Sequence, residues 1–212
     1  MRYLYILTII LATSIYANSY NKIELSETKK ELSYEIFKKL EKEHYLRKID
    51  KDNLNSQYFE AIFDRLDKNK NYFIANEVQK YLIKSKENEV DNFDIELGYD
   101  LINLYFERLI EYSEFQINLI QTVDFDFTKD EYLDIFYEDN QWLTTFTDLK
   151  NLWRLETKND LLVAKISDSS STDPKVDLVK RYQNRIRRIN QQKEEDIFSL
   201  AINILTNQFD PH

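Results

Sequence analysis

Side chains able to do demanding chemistry are few in this sequence. Cysteine is absent, and histidine occurs twice, as His44 and His212. Without thiols there is no disulfide, thiolate metal site, cysteine nucleophile or lipid-modified cysteine. Two imidazoles give a Ser/His/Asp triad or a His-rich zinc site little to draw on. The paired acids Asp124/Asp126 and Asp130/Glu131 are of the type used as general acid and base. That work needs a buried carboxyl, and nothing in the neighbouring residues encloses these; helix N-termini attract acids in any case. Asp67-Lys-Asn69-Lys-Asn71 has the D-x-N-x-N spacing of a calcium loop. Its sixth position, which needs Gly, is Tyr72; its twelfth, which needs a bidentate Glu, is Val78, with Glu77 one place early. A loop of this composition is expected to form turns and cap helices. Lys180-Arg181, Arg185 and Arg187-Arg188 are either a docking patch for an anionic partner or a solvated helix face paired with Glu194, Glu195 and Asp196. The second use is the commoner one for such a run. No catalytic residue, cofactor site or metal site is assigned from residue types.

The elements that would position these groups follow from composition. The chain has 212 residues, one Gly and two Pro. A fold with many tight turns is disfavoured, because positive φ comes cheaply only to Gly. Rossmann crossovers, phosphate loops and many-stranded barrels are therefore poor matches, and an all-α fold remains. Net charge is −9 and the pI is about 4.9, which argues against nucleic acid as a partner, since phosphate binding needs a basic surface. A helical core can absorb the aromatic fraction of 14%; an exposed aromatic groove for peptides is the alternative use. The wealth of Ile, Asn, Lys, Tyr and Phe reflects an AT-rich genome and carries no functional information.

Residues 1–19 read as a signal peptide. Arg2 is the positive n-region, Leu4 to Leu11 is apolar apart from Thr8, and Ala12, Ser14, Ala17 and Ser19 are small. Cleavage after Ser19 places Ala17 and Ser19 at the two small positions, with Ser14 and Ala17 as other sites. The stretch is short for a membrane span, which takes about 20 apolar residues. Export with cleavage is the expectation, and loss of Arg2 takes the net charge from −9 to −10.

Seven or eight helices are expected in residues 20–212. Leu32, Ile36, Phe37 and Leu40 mark a helix from Ser26 to Lys48. Ser56 is read as the cap of a second, with Phe59, Ile62, Phe63 and Leu66 facing one way. Asn76 and Gln79 resemble a capping box opening a third, through Lys84. Residues 93–121 are apolar on more than one face, as in a central helix, and contain Gly98, best explained by a close helix crossing. Val123 to Phe127 alternates like a strand. Thr128-Lys-Asp-Glu131 reads as a capping box opening a helix through Tyr137. Further helices open at Asp148, at Asp173-Pro174 and at Glu194, the last carrying Ile197, Leu200, Ala201, Ile204, Leu205 and Phe209.

Leu152-Trp153-Arg154, Lys158-Asn159-Asp160-Leu161-Leu162, Lys180-Arg181-Tyr182 and Glu195-Asp196-Ile197-Phe198 run in order into Phe209-Asp210-Pro211-His212. Upstream stand His44-Tyr45, Ser56, Leu66-Asp67, Tyr72-Phe73 and Asp124 to Phe127. In that order and spacing the chain resembles the N-terminal region of the tail-specific proteases, the periplasmic C-terminal processing peptidases, from about residue 30 onward. Ala75-Asn76 departs from the Ser-Asp usual there.

The resemblance implies a noncatalytic helical domain placed before a PDZ domain, a Ser/Lys serine protease core and a C-terminal helical domain. It implies polypeptide substrates entered from a nonpolar C-terminus, and contact with a periplasmic helical-repeat lipoprotein adaptor. No residue of this chain inherits the Ser or Lys role, so no catalytic activity of the chain alone is expected, and the PDZ and protease segments would be supplied elsewhere. A free-standing periplasmic binding protein and the remnant of a decayed protease gene are the other readings. A chain ending at His212 is expected to expose apolar surface near Ile204, Leu205 and Phe209.

Overall fold

The computed structural model describes residues 20–43, 51–87, 94–134, 141–167 and 173–209. Within them the chain forms seven helices and no strand: α1 Glu27–Glu43, α2 Lys51–Leu66, α3 Ala75–Glu87, α4 Ile95–Thr122, α5 Phe146–Ile166, α6 Pro174–Asn190 and α7 Glu194–Thr206. The fold is all-α, as composition implied. Residues 1–19, with Ser19, and also His44, Tyr45, Asp210, Pro211 and His212 lie outside the described residues.

α4 is the axis. It packs against α1, α2, α5, α6 and α7, which is why its sequence is apolar on several faces. Its first half, with Ile95, Tyr99, Leu101 and Ile102, joins α1, α2, α3 and α7 in the largest core. Its second half contributes Ile110, Tyr112 and Ile120 to three smaller cores shared with α5 and α6. Gly98 sits where α4 crosses Tyr58 of α2: a Cβ there would stand 2.7 Å from the Tyr58 hydroxyl oxygen. Close approach, and not a kink, is its role.

Several expected boundaries move. α2 begins at Lys51, so Ser56 lies inside it and is buried instead of capping it. Asn76 and Gln79 do not open α3, which starts at Ala75; Ile74 N–H donates to Glu77 Oε2 at 3.0 Å, half of a box that the apolar Ile74 side chain does not complete. The buried seam of α1 runs through Ser33 and Phe37, leaving Leu32 exposed. No helix begins at Thr128. Asp126 accepts from both the Thr128 N–H, at 2.9 Å, and its hydroxyl, at 2.7 Å, while Glu131 turns to α5, so neither half of the box closes. Val123 to Phe127 carries no strand. Ile204, Leu205 and Phe209 are 5%, 0% and 3% exposed, so the expected apolar patch is absent: α7 is covered by the main core.

α6 opens as expected, with the Asp173 carboxylate accepting from Lys175 N–H and Pro174 in the first turn. α5 is capped three residues before Asp148, by Thr145, whose Oγ1 accepts from Asp148 N–H at 3.1 Å. In α7, Asp196 reaches back to Lys193 N–H at 2.9 Å.

Candidate functional site

The Asp67 loop is closed from within. After α2, Lys70 takes a positive φ of 57° and reverses the chain, which brings the next three residues back over the Asp67 carboxylate. Asp67 Oδ1 accepts from Asn71 N–H at 2.6 Å and Tyr72 N–H at 3.2 Å; Oδ2 accepts from Phe73 N–H at 3.2 Å and from the Trp142 indole at 3.1 Å. The carboxylate is 1% exposed. Burial pushes its affinity for protons up to about 6, against the pull of these N–H donors. The D-x-N-x-N spacing thus builds a turn, as its missing Gly and Glu suggested.

Long-range bonds then fix this loop to α4 and α5. Trp153 Nε1 donates to the Asn71 carbonyl at 2.7 Å, and Asn71 Nδ2 donates to Glu156 Oε1 at 2.6 Å. Tyr112 donates its hydroxyl to Glu156 Oε2 at 2.8 Å. Burial raises the Glu156 carboxyl, and the hydrogen bonds from Tyr112 and Asn71 oppose that rise. Phe73 is fully buried against Phe63, with ring centroids 5.2 Å apart, and Leu66 packs on the same core from the end of α2. Of the residues singled out in sequence, Leu66, Asp67, Phe73 and Trp153 are therefore brought together. Asn71, the last residue of the D-x-N-x-N spacing, joins them; Tyr112 and Glu156 complete the cluster and were missed, because their partners lie tens of residues away.

The other singled-out residues hold helices in place. Lys158 and Arg154 both reach Glu131, at 2.6 Å each; their hydrogen bonds, Arg154 first, pull its carboxyl down to about 2. Arg181 Nη2 and the Tyr182 hydroxyl both donate to Asp160 Oδ2 at 2.5 Å. Arg185 lies 5.5 Å from the Tyr112 ring and 5.3 Å from the Tyr182 ring, with Nη1 donating to Gln116 Oε1 at 3.2 Å. Two residues of the basic stretch, Arg181 and Arg185, thus turn toward α5 and α4, while Lys180, Arg187 and Arg188 are exposed. Glu194 instead accepts from Ser26 N–H at 2.7 Å. Phe198 is buried beneath Lys29. Of the paired acids, Asp124 bonds Lys175 at 3.2 Å, and Asp126 and Glu131 are held as described.

An open groove of about 360 Å³ lies between the Asp67 loop and the start of α5, lined in part by Lys70, Leu143, Asp148 and Leu152. Among the described residues no group of three or more His, Cys, Asp or Glu could hold a metal ion, and no helix is long and apolar enough to cross a membrane.

What this geometry does is lock the Asp67 loop to α4 and α5. The family described as the tail specific protease N-terminal domain matches residues 36–212. A tail-specific protease of Haemophilus influenzae (strain ATCC 51907 / DSM 11121 / KW20 / Rd) is 30% identical over 182 residues, which is 82% of this chain and 25% of that protein. The chain thus spans about a quarter of the length of that curated relative. With the match extending over most of its length, the chain belongs to the family of tail-specific protease N-terminal domains.

Proposed function

We propose that this chain is the noncatalytic N-terminal scaffold of periplasmic, C-terminal-directed proteolysis, exported by residues 1–19. It would contact polypeptide substrates or a helical-repeat adaptor, while a Ser/Lys dyad on PDZ-linked protease segments cuts the peptide bond. The observation that carries this reading is the family match over residues 36–212. The engagement of Asp67, Trp153, Lys158, Tyr182 and Asp196 in internal hydrogen bonds supports a structural use of the motif residues. Catalysis needs a nucleophile within reach of a base beside an oxyanion site, and these groups make none.

The test is the mass of the native protein in a periplasmic extract, read with an antibody to this domain. A band far heavier than 25.7 kDa is expected, carrying the protease segments. A band slightly lighter than that, the leader removed, would replace the reading with that of a free-standing binding protein. In the heavier protein, deletion of residues 20–212 should lower turnover of a polypeptide with a nonpolar C-terminus, and the isolated chain should hydrolyse none.

A further inference from the structure

Residues 20–26 form neither helix nor strand, yet they are fixed to α4. Asn103, 4% exposed in the middle of that helix, makes the attachment. Its Oδ1 accepts from Ile23 N–H at 2.9 Å and from the Tyr20 hydroxyl at 2.8 Å. Its Nδ2 donates to the Ile23 carbonyl at 3.1 Å and to the Tyr99 carbonyl at 2.8 Å. Both donors and both lone pairs of the amide are used. Lys22 pairs with Asp100 at 2.6 Å and Ser26 N–H meets Glu194, so the strap runs opposite to α4 toward α7.

Taking the N–H and C=O of one residue together is what a neighbouring β-strand does in pairing. At Ile23, Asn103 is a one-residue substitute for such a strand and reads backbone, while its other lone pair takes the Tyr20 hydroxyl. Apolar seats flank it. Tyr20 rests 6.1 Å from the Phe106 ring and packs beside Ile110, Ile186 and Ile189, while Ile23 and Leu25 pack on the main core. Backbone hydrogen bonds for affinity with side-chain seats for specificity is the general design of an extended-peptide site.

We propose that the α4 surface around Asn103 is a peptide-reading groove, filled in cis by residues 20–26. When the strap is out, it takes in trans an extended polypeptide with the pattern aromatic-x-x-aliphatic-x-aliphatic. The strap holds the groove through its tether, since a short connection to α1 gives it an effective concentration near the millimolar range. The inference stands apart from the proteolytic reading, because peptide capture here needs none of the protease segments.

Two experiments decide it. In native-state hydrogen exchange on the unchanged chain, the Ile23 and Ser26 amides should exchange together, about tenfold or more faster than the amides of Leu101 and Ile102. Equal protection would mean the strap leaves only on global unfolding, which overturns the proposal. A fluorescent, end-blocked peptide of residues 20–26 is then titrated into the full chain carrying Tyr20→Ala and Ile23→Pro. It should bind that variant about tenfold or more tightly than the unchanged chain. Adding Asn103→Ala should cost about tenfold, the effect of losing a paired backbone contact. Absence of binding to a folded variant, indifference to Asn103→Ala, or unfolding of the strap variant would each make the strap a structural staple and sink the groove.

Discussion

The indole N–H of Trp153 donates to the backbone carbonyl of Asn71 at 2.7 Å, joining the middle of α5 to a loop 82 residues earlier. Trp153 is fully buried, with Tyr112 and Phe115 at ring distances of 5.2 and 5.8 Å. Its ring and its donor contribute separately. Trp153→Phe keeps most of the apolar surface and leaves the Asn71 carbonyl without this donor, at a cost of about 1–3 kcal/mol. Trp153→Ala adds a cavity and should cost about 3–5 kcal/mol. Urea unfolding of the two variants checks the ranking; equal losses would assign everything to the hydrogen bond and nothing to the ring.

Asp67 predicts an unusual pH dependence. Its folded-state carboxyl titrates at about 6, against 3.8 when unperturbed, so between those values the folded chain holds a proton that the unfolded chain has lost. The contribution is full below 3.8 and is lost as pH rises through 6. Relative to Asp67→Asn, the unchanged chain should lose up to about 3 kcal/mol of stability between pH 4 and pH 7. Stability curves for the two proteins that stay parallel over that range would contradict it.

Local signals were legible in the sequence, and long-range competition was not. Asp173-Pro174 opens α6 because cap and N1 residue act on adjacent backbone. Gly98 could be assigned to a close crossing because α4 is apolar around its circumference. Thr128 to Glu131 has the same local form as a cap and fails, since Arg154 and Lys158 on α5 outcompete a single backbone N–H for Glu131. The Asp67 turn could be read from its spacing, but Glu156, Tyr112 and Asn103 could not. Each is an ordinary polar residue on a helix until the fold supplies partners 44 to 85 residues away.

Glu131 should therefore control the segment before α5. It holds 127–134 to Arg154 and Lys158, with Lys158 also 5.8 Å from the Phe127 ring. Its carboxyl is held down to about 2 from 4.5, so its stabilising effect is present above 4.5 and lost as pH falls through 2. Glu131→Gln should speed amide exchange across 127–134 and leave α4 amides unchanged, with the same effect partly reproduced by high salt. Unaltered exchange in that segment would show that Phe125 and Phe127 packing alone retains it.

Gly98→Ala sets two effects of known sign against each other. Alanine gains about 1 kcal/mol of helix propensity over glycine. The new Cβ, however, would stand 2.7 Å from the Tyr58 oxygen and 2.9 Å from its Cε1. Tyr58 is fully buried between α2 and α4 and has little room to yield, so overpacking of about 1–3 kcal/mol should win. Tyr58→Phe removes the nearest of these atoms and leaves the ring contact. The double variant should therefore recover part of the loss, giving a favourable coupling of about 1 kcal/mol in a double-mutant cycle. Additive losses would place the strain of Gly98→Ala somewhere other than the α2–α4 crossing.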